Sequence, residues 1–364
     1  MRPAAAAIAI SLGAGGCDSG SGAGAITSFG RMAGYVWSGT VTSVRAAWVV
    51  PKMASGTGAA HASTWIGAQA AGLPERSPFI QVGTTEDRAP TSGPAYSAFW
   101  TDTRRGFHPQ ILFHVHPGDR IAASMSLGSG RWRVLVADTT SRQQAVFSTR
   151  EDADGAFTLA EWLQEDPSET SGRATPYPRL SAVRMSGLAV NGIAPRYADV
   201  YAQWMSVNGA TRAPTPLHDD AFEITRGVIT TAGRRYLQIA GAHTIASRQL
   251  KREEARWTPS TPARAIRSGS AAAFASDRAY ARQLARVHWP APARGPISGL
   301  VRQVRLQERL FATAARHVPA SLSAWRVQLS RLNPALSRLT QQVQRALHLP
   351  ELVPGQLPAA RRGP

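Results

Sequence analysis

The chain has 364 residues, enough for one large domain or two ordinary ones, with a core that needs no disulfides. Its single cysteine, Cys17, excludes an internal disulfide. The formal charge of +18 is lopsided: residues from Gly227 onward carry 22 basic and 5 acidic side chains, which leaves the first 226 close to neutral. That split is the clearest domain boundary in the sequence.

Residues 1–17 read as an export signal. Arg2 is followed by an Ala/Ile/Leu-rich run and then by small residues leading into Cys17. The apolar run is too short to span a bilayer. The small residues before Cys17 resemble a bacterial lipobox, in which that cysteine is lipidated, although Leu12 stands further from it than usual. Residues 18–33 are rich in Gly, Ser and Ala and read as a flexible tether.

From residue 34 to 226 the pattern is strand and turn. Short β-branched and aromatic runs recur at Tyr35–Trp37, Val41–Val44, Ala47–Val50, Ser63–Ile66, Phe79–Val82, Ala95–Trp100 and Gln110–His116. Arg120–Leu127 and Arg131–Asp138 read as a hairpin around Gly128-Ser129-Gly130. Gln144–Thr149, Ala156–Gln164, Leu180–Met185 and Ala221–Thr225 follow, with a polar loop over 168–178. Many short strands and no strong helix predict an all-β, antiparallel β-sandwich.

The tail differs. Residues 227–270 are expected to be a basic linker, with one further hairpin over Gly227–Ile239 and disorder over Lys251–Ser270. Residues 271–364 are expected to form a basic, partly helical extension. Ser276-Asp277 opens one helix; Leu300, Val304, Phe311, Ala314 and Val318 share the face of a second; Asn333-Pro334 starts a third, with Leu336, Leu339, Val343 and Leu347 on one side. Such basic amphipathic helices suit an anionic membrane surface.

Two polar residues stand out in the strand region. Glu161 alternates onto the face of Leu159 and Leu163, and Gln81 onto the face of Phe79 and Gly83. A carboxylate on an apolar face is costly unless it is paired or used. A lone Glu on a strand usually marks a solvated face, and Glu161 is set apart by these neighbours.

At these residues the chain resembles the glutamic peptidases, or eqolisins. Ile80-Gln81-Val82-Gly83 and Ala160-Glu161-Trp162-Leu163-Gln164-Glu165-Asp166 are similar to the two segments that carry that family's Gln and Glu. Ala47-Trp48-Val49-Val50-Pro51, Ser63-Thr64-Trp65-Ile66-Gly67, Tyr96-Ser97-Ala98-Phe99-Trp100 and Pro117-Gly118-Asp119 fall in the family's order. The resemblance covers roughly residues 34–226 and implies two large antiparallel sheets of jelly-roll or concanavalin-like form. It also implies Glu161 as general base and acid, Gln81 as oxyanion donor, Trp65 and Trp100 as aromatics lining the substrate cleft, and no cofactor. Gln69, Thr85 and Thr101 stand where family members carry acids, which puts a very low pH optimum in doubt but leaves the Gln/Glu pair intact.

The chemistry is self-consistent. Glu161 would take a proton from water and return it to the leaving amine, and the Gln81 amide, which does not titrate, would donate to the oxyanion. Activity is therefore expected at acidic pH. Glu165 nears the strand end and is expected at a rim or turn. His108, His114 and His116 invite a metal reading, with His114 and His116 on one strand face, but no acidic third ligand is placed and no metal is expected. Ser63, His61 and Asp87 lack a nucleophile-elbow motif.

The expected protein is an exported, surface-anchored endopeptidase with polypeptide substrates. Membrane contact would come through Cys17 and the basic helices, with no nucleic-acid partner. The alternative is a non-catalytic β-sandwich that binds carbohydrate or protein, since sandwich faces host many functions.

Overall fold

The computed structural model describes residues 31–350 except 57, 71–77, 90–92, 107, 151–156, 168–175, 208–209 and 255. Cys17, most of the tether and most of the 168–178 loop lie outside the described residues. The chain divides into two compact units, with the change between Val228 and Ile229.

The first unit is built from β1 (Met32–Ser38), β2 (Ser43–Val49), β3 (Ala60–Gln69), β4 (Phe79–Ala89), β5 (Gly93–Asp102), β6 (Gln110–His114), β7 (Arg120–Gly128) and β8 (Arg131–Asp138). These are followed by β9 (Gln143–Thr149), β10 (Leu159–Glu165), β11 (Val183–Val190), β12 (Val200–Gln203), β13 (Met205–Val207), β14 (Ala210–Pro214) and β15 (Phe222–Arg226). They form two antiparallel sheets. One has seven strands in the order β12-β1-β10-β3-β4-β5-β6; the other has eight in the order β13-β14-β15-β11-β2-β7-β8-β9. Sequence expectation and structure agree on the two-sheet antiparallel architecture.

Period-two patterning decides what fills the interior. Tyr35, Trp162, Ile66, Val82 and Trp100 lie in one register row of the seven-stranded sheet and face the second sheet. Indole hydrogen bonds tie the two layers: Trp162 Nε1 donates to the Arg45 carbonyl at 2.9 Å and Trp48 Nε1 to Thr84 Oγ1 at 3.1 Å. The expected β7–β8 hairpin forms. Ser129 and Gly130 take φ of 49° and 69°, the left-handed pair that matches strand twist in a two-residue turn.

The second unit is helical: α1 (Thr231–Glu254), α2 (Ala263–Arg286), α3 (Ala291–Arg316), α4 (Leu322–Ser330) and α5 (Asn333–Ala346). Two sequence expectations are corrected here. Gly227–Ile239 forms no hairpin, because residues from Thr231 onward begin α1. The Lys251–Ser270 stretch is not a disordered linker: it holds the end of α1 and the first two turns of α2. Arg, Lys, Glu, Gln, Ala and Leu are strong helix formers whatever their charge, and Ile266 is buried in this stretch. The predicted third helix matches α5, while α2 begins well before Ser276.

The apolar helix faces are spent inside this unit. Tyr236, Leu284, Trp289, Ile297, Leu300, Val304, Val343 and Leu347 form one cluster; Trp257, Ile266, Phe311, Ala314 and Trp325 form another. No described helix is long and apolar enough to cross a membrane.

Candidate active site

Glu161 and Gln81 come from strands that do not touch each other. Each pairs in register with the same residue of the strand between them, Gly67 of β3. Directly opposed residues in an antiparallel ladder share a face, so both side chains rise from one side of the sheet. Their Cα atoms stand two strand spacings apart, about 10 Å. The whole row reads Tyr201, Val36, Glu161, Gly67, Gln81, Thr101.

This side is the one turned away from the second sheet. It carries its own apolar cluster of Val36, Trp65, Phe79, Phe99, Leu159 and Leu163. Gln81 is 0% exposed and Glu161 1%, so burial here cannot come from the second sheet, which lies against the other face. Both amide atoms of Gln81 and Oε2 of Glu161 lack a hydrogen-bond partner among the described residues. An unpaired buried polar group costs about 1–3 kcal/mol, so three around one glycine need a reason.

The Trp65 and Phe79 rings close over Gly67 and leave no room for a side chain there. A Cβ on it would come 2.7 Å from the Trp65 ring and 3.1 Å from that of Phe79. Those two rings meet edge to face with centroids 5.6 Å apart. Gly83, opposite Trp65, admits no side chain either: its Cβ would stand 2.2 Å from the Thr64 carbonyl oxygen.

Glu165 is not at a rim. It is fully buried on the same face and its Oε2 accepts a hydrogen bond from Trp65 Nε1 at 3.0 Å. Its i, i+4 spacing from Glu161 was the available sequence signal, and its neighbours across the sheet were not readable. Burial pushes the Glu161 carboxyl up to about 8, and the nearby Glu165 adds to the shift. Burial likewise lifts Glu165 to about 8, against the Trp65 bond and the Arg31 charge. Asp166 is raised to about 6 by burial, opposed by Arg31 at 3.3 Å.

Of the two tryptophans expected in the cleft, Trp65 lies on the Glu161/Gln81 face and Trp100 does not. Trp100 precedes Thr101, the residue opposite Gln81, and so points into the sandwich. There it packs on Phe147 at 4.4 Å, with the Arg105 guanidinium 4.2 Å over its ring. The histidines also part company. β6 ends at His114, whose Nδ1 lies 3.3 Å from Ser97 Oγ, while His116 sits in the following turn beside Asp119. Among the described residues no group of three or more His, Cys, Asp or Glu is placed to hold a metal ion.

The family model for the Peptidase A4 family matches residues 30–219, more than half of the chain and nearly all of the sandwich unit. The chain belongs to the Peptidase A4 family. It is therefore an endopeptidase of the glutamic class, the family whose motifs surround Gln81 and Glu161. Scytalido-glutamic peptidase, solved with a transition-state analogue inhibitor, is 18% identical; the match covers 54% of this chain and 98% of that one at a TM-score of 0.45. SCP-B, an eqolisin solved with the tripeptide Ala-Ile-His, is also 18% identical, with the same coverage at 0.43. No curated protein matches the chain. The assignment to the A4 peptidases rests on residues 30–219; the helical unit lies beyond the match.

Proposed function

We propose that this A4 peptidase is an exported enzyme that hydrolyses polypeptides in acid through Glu161 and Gln81. The supporting observation is the register row Glu161–Gly67–Gln81, with three unpartnered polar atoms on a buried apolar face. A scissile carbonyl and a water held between the Glu161 and Gln81 side chains would supply the missing partners. Gln81 Nε2 would donate to the developing oxyanion while its carbonyl steadies the water. Glu161 would accept the water's proton and pass it to the leaving amine.

A substrate reaches these groups only when the buried face opens. Burial is the largest cause of the raised Glu161 carboxyl. Hydration on opening therefore returns it toward the ordinary Glu value of about 4.3, where an ionised base and its acid form coexist in acid. Trp65 would form one wall of the opened site.

Export rests on the basic, apolar and small-residue order of the leader, and surface anchoring on Cys17. In the helical unit the apolar stripes are buried, so membrane contact would fall to its arginines. Casein digestion near pH 4 by wild type, Glu161→Gln and Gln81→Ala tests the dyad. Equal digestion by all three would remove the assignment. Fractionation of cells making Cys17→Ala tests the anchor, which predicts release of the protein from membranes.

A further inference from the structure

Two register steps along the site face from Glu161 lies a second polar row. It reads Glu165, Ser63, Thr85, Ser97, His114 across β10, β3, β4, β5 and β6. Between it and the Glu161 row runs an apolar row of Leu163, Trp65, Gly83 and Phe99. Ser63 is 2% exposed, Thr85 4% and Glu165 0%. Thr85 Oγ1 and Glu165 Oε1 have no hydrogen-bond partner among the described residues, and Ser63 Oγ has none of good geometry, although it stands close enough to the Glu165 carboxyl to favour its charged form. These atoms sit on three adjoining strands, each residue opposite the next, where cross-strand side chains lie about 5 Å apart.

We propose that Glu165, Ser63 and Thr85 form a second substrate subsite, which takes an uncharged hydrogen-bonding side chain such as Asn or Gln. This rests on the peptidase site proposed above. The chemistry of the three groups selects the ligand. Two are hydroxyls, and all three both donate and accept while the carboxyl is protonated. A carboxamide does the same, and matches them without an ionic partner. An acidic side chain would meet the Asp166 carboxyl and a basic one the Arg31 guanidinium, both close enough to act on Glu165. A purely apolar side chain would leave buried hydroxyls unpaired, which is how hydrogen-bonding sites discriminate.

The spacing sets a position. Glu161 and Glu165 are four residues apart on one strand, about 13 Å at the usual rise. A peptide extended along the strands would present every second side chain to this face. The second residue from the cut would meet the Trp65 row and the fourth would meet the polar row.

The test uses full-length protein with Ser63→Ala and Thr85→Val combined. Removing unpartnered buried hydroxyls is neutral or stabilising in the free protein, so the variant should fold. Peptides alike except for Leu, Gln, Glu or Lys at each of the four residues on either side of the cut are compared by kcat/KM. Wild type should favour Gln over Leu about tenfold at one position, the value of one or two neutral hydrogen bonds. The double variant should lose that preference and cleave the Gln and Leu peptides at about equal kcat/KM. No preference in wild type, preference for Glu or Lys instead, or a Gln preference that survives in the variant would each overturn the subsite. Those outcomes leave the Glu161/Gln81 reading standing. Wild type no faster than Glu161→Gln on every peptide would remove both.

Discussion

The two sandwich sheets differ on their outward faces. Along β8 of the eight-stranded sheet burial alternates strictly enough to separate core from solvent, and Val49 and Val146 lie outward at 43% and 46% exposure. Along β10 of the seven-stranded sheet every residue is buried, including Glu161 and Glu165. The first pattern is what a sheet with one wet face requires. The second keeps carboxyls and a carboxamide out of water at a cost that packing alone does not explain. The difference sets apart the outward face that carries the proposed site.

The sharpest way to break this comparison is to change the pair itself. Glu161→Gln should lower kcat by about 10²–10⁴, the value of acid–base catalysis, and Gln81→Ala by about 10²–10³, that of one oxyanion donor. Arg45→Gln, on the other outward face, should leave peptide cleavage unchanged. Gly67→Ala comes next: the new methyl meets the Trp65 ring, and displacing the groups on either side should cost about 100-fold in kcat/KM.

A stability difference follows. Gly83→Ala drives a methyl into the Thr64 carbonyl and should cost about 3 kcal/mol by denaturant titration. Gly128→Ala, where a Cβ meets nothing within 4 Å, should be far milder.

The pH dependence is smaller but has a definite sign. Glu161 and Glu165 are raised from 4.5 to about 8 and Asp166 from 3.8 to about 6. Burial also raises Glu86, inside the sandwich. A carboxyl with a raised folded value holds its proton better folded than unfolded. Its contribution is therefore intact below the unfolded value and lost as pH climbs through the folded one. Melting temperature should fall between about pH 4.5 and 8, and Glu165→Gln should flatten that fall. A melting temperature that rises over this range would contradict the buried, protonated site. The mildest change, Val146→Thr on the exposed face, should stay within about 0.5 kcal/mol.

Sequence alternation makes the sandwich legible where a strand has one wet face, as in β2, β7 and β8. The same alternation showed Glu161 and Gln81 among apolar neighbours. It did not place Trp100, because the side a residue takes depends on its pairing, and nothing local shows that Thr101 lies opposite Gln81. The short strands β12, β13 and β14 were invisible, being only three to five residues long with Pro214 in the last. In the tail, high arginine content reads as disorder, but the helix-forming strength of the same residues is the stronger influence. Glu165 was misread because the partner that draws it inward, Trp65, is a hundred residues away in sequence.

The order of strands also bears on how a cell can make such a protein safely. Gln81 leaves the ribosome long before Glu161, and β10 must then insert between β1 and β3 before the two can cooperate. A nascent or truncated chain that ends before residue 161 lacks one half of the proposed dyad and also the strand that joins β1 to β3.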